Sequence, residues 1–436
     1  MNIAKKTLTI LALTTAPLAT MAQNGVNTPY SRYGLGVLSD RSMGFNKAMG
    51  GVAQGFRNGQ EINTANPASY AATDSLTALF DLGMSVQNGN YHDGETRQNI
   101  RNSSFDYAAY AFRATRGLGI TLALLPYSKI KYETSSASET YTGDGGLRQI
   151  MLGAGWQVLR PLSIGLNVGY LWGEYEHNAT AIASSTTEFN TKRTYSANIS
   201  TYTLEFGAQY MLDLNKQQRL TFGATGKLGH IVNNTAKRVT STLNSSTVVA
   251  STEVGLDDAF QLPYGVAAGA SYQLADKLRA GLDFEYEGWS HVRFPVAKNY
   301  DESQWTPLTG VLNDRIRLAA GVEYTPNTMG KSILKRLHYK LGGYWSRSYA
   351  NANEAVNQSG KKPTEFGLSA GVTIPIQNRN LFYSSPKVNV TFSWVHANIP
   401  YFIGNTSQGG TLKENYLRLS VGLTLSERWF YKWKVQ

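Results

Sequence analysis

From Leu76 onward, apolar residues recur at every second position in stretches of eight to eleven residues, a period that fits strands and not helices. In the last stretch Leu417, Leu419, Val421, Leu423 and Leu425 point one way, while Arg418, Ser420, Gly422, Thr424 and Ser426 point the other. Leu162, Ile164, Leu166, Val168, Tyr170 and Trp172 alternate in the same way with Ser163, Gly165, Asn167, Gly169 and Gly173. Leu278, Ala280, Leu282, Phe284 and Tyr286 alternate with Arg279, Gly281, Asp283 and Glu285. Strands of soluble sandwiches usually run about five or six residues, whereas these approach the length that crosses a bilayer at a tilt.

The pattern predicts an all-β fold, a transmembrane antiparallel β-barrel of about fourteen strands. They fall at 76–86, 105–113, 118–126, 148–158, 162–172, 193–211, 219–228, 262–272, 278–288, 315–325, 338–346, 365–374, 387–395 and 416–425. The number is even, as in bacterial single-chain barrels. Connections alternate between long (88–104, 127–147, 173–192, 229–261, 289–314, 347–364, 396–415) and mostly short (114–117, 159–161, 212–218, 274–277, 326–337, 375–386). That asymmetry predicts long loops outside the cell, with short turns and both termini in the periplasm. Tyr170, Trp172, Tyr286, Trp289, Tyr344, Trp345, Trp394, Trp429 and Phe430 lie near strand ends, as an interfacial aromatic girdle would.

Composition removes several alternatives. The 436 residues contain no Cys, which excludes a disulfide scaffold, a thiol enzyme and a cysteine-ligated metal. No apolar run reaches the roughly 18 to 20 residues of a spanning helix. Lys5 and Lys6, the apolar stretch 7–18 and Thr20-Met21-Ala22 read as a signal peptide over 1–22, cleaved after Ala22. The chain is thus expected in the outer membrane of a Gram-negative cell, among outer-membrane lipids and lipopolysaccharide. Loss of the leader lowers the formal net charge from +11 to +9. In an exported barrel that excess suggests contact with anionic headgroups, through rim residues such as Lys331, Lys335, Arg336, Lys340, Arg428, Lys432 and Lys434, and no nucleic acid.

Chemical motifs are sparse. Gly367-Leu368-Ser369-Ala370-Gly371 matches G-x-S-x-G, but Ser369 sits in mid-strand where no nucleophile elbow can form. Met329-Gly330-Lys331-Ser332 lacks the first glycine of a phosphate loop, since Thr325 stands there. His92, His177, His230, His291, His338 and His396 show no ligand spacing. The expectation is no catalytic residue, no metal and no cofactor: not an enzyme.

Residues 23–74 carry no sustained period and precede a barrel domain over 75–436. They read Ser31-Arg32-Tyr33-Gly34-Leu35-Gly36, Arg41-Ser42-Met43-Gly44, Ala48-Met49-Gly50-Gly51-Val52-Ala53 and Asn63-Thr64-Ala65-Asn66-Pro67-Ala68-Ser69-Tyr70. This resembles the long-chain fatty acid transporter (FadL-type) family of outer-membrane proteins, in the branch typical of Bacteroidota. The resemblance implies that 23–74 forms a hatch in the lumen of a fourteen-stranded barrel. Gly34, Gly36, Gly50, Gly51, Asn66, Pro67 and Ala68 would shape that plug.

Two functions follow from the resemblance. In one the barrel is porin-like and passes or binds small hydrophobic solutes, with Leu35, Val37, Leu38, Met43, Phe45, Met49 and Val52 of the hatch contacting the ligand. In the other it is a non-transporting accessory subunit of an outer-membrane protein secretion or β-barrel assembly complex. The family's apolar capture loops are replaced here by polar, Thr/Ser-rich sequence at 178–187 and 233–238, which departs from fatty acid uptake.

Overall fold

The structure is a computed structural model, and it describes residues 28–92, 97–135, 138–183, 189–244, 247–297, 305–351, 362–376, 386–402 and 409–428. The leader at 1–22 and the aromatic residues Trp429 and Phe430 lie outside the described residues.

Fourteen antiparallel strands close on themselves. They are β1 (Thr77–His92), β2 (Arg97–Thr115), β3 (Leu118–Pro126), β4 (Glu139–Gln157), β5 (Leu162–Ala181), β6 (Asn190–Asp213) and β7 (Gln218–Lys227). The circuit continues with β8 (Gly265–Leu274), β9 (Leu278–Glu287), β10 (Arg315–Tyr324), β11 (His338–Arg347), β12 (Thr364–Pro375), β13 (Lys387–Phe402) and β14 (Gly409–Arg428). The seam closes when β1 pairs with β14, from Thr77↔Arg428 to His92↔Lys413. Each strand expected from the alternation is present.

Exposure is inverted relative to a soluble sheet. Leu417 and Leu282 are 63% and 60% exposed on the outer wall, while Ser420 and Asp283 on the inner wall are 4% and 1% exposed. Such a surface is stable only with hydrocarbon outside and a packed interior. No described helix is long and apolar enough to cross a membrane.

Several strands outrun the sequence estimate. The β5–β6 hairpin stays paired as far as Ala181↔Thr191, so much of the expected loop 173–192 is ladder. Its Thr and Tyr residues suit strands, yet no apolar alternation marks it, and Tyr175 and Tyr195 on it pack against the cap.

At Pro126 the wall bends. Pro126 offers no N–H to a ladder, and β3 leaves β2 after the pair Ala108↔Leu124. The chain resumes at Ser128–Ser135, still paired with β4, and there accepts an internal partner: Val37–Leu38 pairs with Ser128 and Lys129.

On the long-loop side, short sheets (His230–Val232 with Phe260–Leu262, and Phe294–Ala297 with Trp305–Leu308) fold over the mouth. Leu35, Phe260, Trp289, Val311, Leu312 and Tyr349 share the apolar core of this cap.

Three sequence expectations need correction. Trp289 is fully buried in the cap and donates to Glu287 (3.1 Å), because the chain turns inward after β9. Tyr344 lies on the lumenal face of β11 and donates to Glu365, whereas Trp345 remains on the outer wall. Lys340 is no rim residue, since its ammonium is buried in the lumen. The outer girdle keeps Tyr170 stacked on Trp172 (5.8 Å) and Trp394 against Phe366 (6.2 Å).

Candidate functional site

Residues 28–74 lie in the lumen, reaching from the short-turn side up to the cap, held by backbone contacts that glycine permits. Gly50 adopts φ +67°, and a Cβ there would stand 2.5 Å from the Gly343 carbonyl oxygen. Gly36, at φ +88°, lies against the Lys129 carbonyl, and its own carbonyl accepts from the Tyr349 hydroxyl. Gly34 lies under the Tyr349 ring and Gly51 against the Arg317 guanidinium. Asn66 opens the short helix Pro67–Ala72, its Oδ1 accepting from the Ala68 N–H (3.1 Å). Its Nδ2 donates to the carbonyls of Gln54 (3.0 Å) and Ala208 (3.3 Å), tying the hatch to itself and to β6.

Wall side chains satisfy the hatch backbone around the circuit, as a buried irregular segment requires. Lys340 donates to the Phe45 carbonyl (2.6 Å), Arg317 to that of Gly50 (2.6 Å) and Ser271 to that of Gly55 (2.6 Å). Asp283 accepts the N–H groups of Ala53 (2.6 Å) and Gln54 (2.9 Å). Ser369 Oγ accepts the Gly50 N–H (3.1 Å).

Ion pairs reinforce these bonds. Arg41 grips Glu205 through both nitrogens (2.9 and 2.7 Å). Lys47 pairs with Asp106. Arg279 of β9 bridges Glu61 of the hatch (2.8 Å) and Glu323 of β10 (2.8 Å), and Lys340 adds a contact to Glu323 at 3.3 Å. Burial alone would raise the Glu61 carboxyl, yet the charges of Arg279 and Lys387 and hydrogen bonds from Arg279 hold it at about 2. Asp40 is held at about 2 in the same way: burial opposes ionisation, and Arg317, Lys47 and bonds from Ser42 outweigh it. Breaking one such buried pair costs about 3 to 5 kcal/mol.

The remaining space is small and mixed in lining, with Tyr30, Val37, Leu38, Tyr344, Tyr349 and Tyr416 set among charged groups. A cavity of ≈ 180 Å³ above the hatch is lined by Asp40, Lys47, Asp106, Arg317, Glu365 and Arg418 among others. A second, of ≈ 80 Å³, shares Leu38, Asp40, Arg315 and Arg317 with it. Of the candidate ligand contacts, Val37 and Leu38 line the larger cavity. Met43, Phe45, Met49 and Val52 are buried in a packed core with Leu79 and Tyr107, and Leu35 is sealed in the cap. Arg279 and Asp283 were legible as the polar half of an alternation, whereas Glu205, Glu323 and Arg317 were only covered by expected strands, and the role of all five as hatch anchors was not legible. Among the described residues no group of three or more His, Asp or Glu side chains could hold a metal ion.

The family whose model matches the chain is described as BamG, and the match covers residues 3–436. No curated protein matches the sequence. Similar solved structures include a FadL homologue from Pseudomonas aeruginosa, with TM-score 0.60 at 10% identity over 91% of this chain and 100% of that one. The P. putida toluene transporter TodX gives TM-score 0.58 at 13% identity, covering 92% and 100% of the two chains. The Ralstonia pickettii toluene transporter TbuX gives 0.52 at 14%, covering 91% and 99%. At these identities the likeness is one of fold: an outer-membrane barrel of fourteen strands.

Proposed function

Because the chain belongs to the BamG family, matched over residues 3–436, we propose that it is a non-transporting accessory subunit of the β-barrel assembly machinery in the outer membrane. The observation that carries this reading is the filled lumen. The hatch packs its large apolar side chains against the wall, and the space left is small, with charged groups (Asp40, Lys47, Asp106, Arg317, Glu365 and Arg418) interrupting its apolar and aromatic lining. An apolar solute gains affinity from contiguous apolar lining, and burying ions beneath it without new partners would cost several kcal/mol. The protein's working surface is then its long-loop side, which this reading places outside the cell, together with the lipid-facing wall.

Passage of small hydrophobic solutes is the second reading. One observation favours it: beside the bend at Pro126 the upper part of β2 keeps its pairing with β1 but has no partner from β3 beyond Ala108↔Leu124, and Val37 of the hatch packs in the cluster that includes Ile100 there. Purification in mild detergent separates the two. Co-elution of assembly-machinery subunits, with no saturable binding of palmitate or toluene, is the expected result; saturable binding without co-eluting protein would reverse the assignment. No catalytic role is proposed for Ser369 or any histidine.

A further inference from the structure

On the short-turn side, the connection 325–337 between β10 and β11 is far longer than the about two to five residues of a usual hairpin loop. It is built and not slack. The Asn327 N–H donates to the Lys335 carbonyl (2.8 Å), Asn327 Oδ1 accepts the Met329 N–H (3.0 Å), and Ile333–Arg336 form a single helical turn. That arrangement turns large apolar side chains outward: Met329 is 88% exposed, Leu334 63% and Ile333 51%. Lys331 and Lys335 are exposed among them, and 325–337 contains no Asp or Glu.

The wall beside it marks its depth. Tyr339 of β11 faces outward next to its cross-strand partner Tyr324 of β10, and both are exposed. Outward tyrosines at the end of a spanning strand sit at headgroup level. The Tyr339 hydroxyl donates to the Leu334 carbonyl (3.0 Å), so Leu334 shares that level. The connection therefore runs along the lipid-facing flank and not beneath the lumen.

We propose that 325–337 is a membrane anchor, in which Met329, Ile333 and Leu334 enter the phospholipid leaflet on the short-turn side while Lys331 and Lys335 hold its phosphate groups. It needs only the outer-membrane barrel and stands under either function above. Two observations select lipid as the occupant. The apolar patch continues the surface of Tyr324, Tyr339 and Leu341, which the bilayer already covers. Apolar side chains interleaved with cations, and with no acid among them, match an anionic interface, where the chains bury in the acyl boundary and the ammonium groups stay with the headgroups.

The test exploits a chain without Cys, in which one introduced thiol carries a nitroxide at one chosen place. Leu334→Cys and Met329→Cys are labelled in vesicles of phosphatidylethanolamine and phosphatidylglycerol and compared with Lys216→Cys, an exposed position in the polar turn between β6 and β7. Labels at 334 and 329 should be reached by oxygen more readily than by a water-soluble nickel chelate, and the label at 216 should show the reverse. Lys331→Glu with Lys335→Glu, added to the Leu334→Cys chain, should lower the oxygen-to-nickel ratio about fivefold or more, since each lysine near an anionic surface contributes about that factor. Lys331→Gln with Lys335→Gln should give a smaller drop in the same direction, and both variants should keep the heat-modifiable band. Nickel access at 334 equal to that at 216 would overturn the anchor. So would a label at 334 that is shielded only after assembly subunits are added, which would make the patch a protein-docking face. A ratio unchanged by either double substitution would overturn the headgroup contact.

Discussion

Pro67 of the hatch lies flat on Gly165 of the wall, so close that a Cβ at Gly165 would overlap the Pro67 carbonyl group. Gly165 is the middle of a row, Gly155↔Gly165↔Gly207, that crosses three adjacent strands and forms a trough for the helix Pro67–Ala72. A second row, Gly281↔Gly321↔Gly342, crosses β9 to β11 beneath Met49 and Val52. The hatch is therefore seated by what the wall omits as well as by what it bonds.

Gly165→Ala should destabilise the hatch by about 1 to 3 kcal/mol, the usual cost of overpacking a tight contact. Gly226→Ala, on β7 with nothing within 4 Å of its Cβ, should be close to neutral. Urea titration followed by loss of the heat-modifiable band measures both, and equal effects would mean the trough is not in contact.

Arg279 bridges Glu61 and Glu323, with Lys387 and Lys340 as further cations beside the one and the other. Arg279→Met should cost about 3 to 5 kcal/mol, because two buried carboxylates lose their partner. The triple change with Glu61→Gln and Glu323→Gln should recover part of that loss, since no unpaired carboxylate remains, although Lys340 and Lys387 lose their partners. Failure of the triple variant to recover would place the weight of this contact in packing and not in charge.

Glu61 and Asp40 both titrate near 2, below their ordinary values of 4.5 and 3.8. A depressed carboxyl contributes its full stabilisation above the ordinary value and loses it as the pH falls through the depressed one. Hatch protection in hydrogen exchange, normalised to the intrinsic rate at each pH, should thus be constant from pH 7 to about 5 and decline toward about 2. A loss already complete at pH 5 would contradict the ion-pair geometry.

The barrel was legible because lipid imposes a period of two on each crossing strand, and Leu417 to Leu425 or Leu162 to Trp172 carry it openly. The hatch has no period of its own, and in the sequence it was recognisable by the resemblance of its glycine motifs and Asn66-Pro67-Ala68, not by its contacts. What it touches depends on which strands lie opposite, and residues such as Asp283 and Ala53 are 230 positions apart. Trp289 and Tyr344 misled for a local reason. An aromatic at a strand end looks the same in sequence whether it faces lipid or turns into the cap.

Leu423→Arg, on the outer face of β14, should disrupt assembly by about 2 to 4 kcal/mol if it falls near the bilayer midplane. A tolerant lumen would make Thr424→Arg the milder change, but Thr424 is 3% exposed and hydrogen-bonds Asp81. Both variants should therefore fail, and Thr424→Ser alone should assemble as a heat-modifiable barrel. Normal assembly of Thr424→Arg would mean that the lumen is open at this level.

Two seals lie in series along the lumen. The hatch blocks the short-turn side, and the cap around Trp289 and Tyr349 closes the mouth, with Leu35 joining one to the other. Deleting 28–49 removes Leu35 and the bonds to Asp106 and Lys340, but leaves Phe260, Val311 and Leu312 packed over the mouth. In planar bilayers the deletion alone should give small, flickering steps, and the deletion combined with Trp289→Ala should give large, stable ones. Large steps from the deletion alone would show that the cap is no seal. Absence of steps from the combined variant would show that the residues 50–74, anchored by Glu61 and Asn66, close the barrel without help.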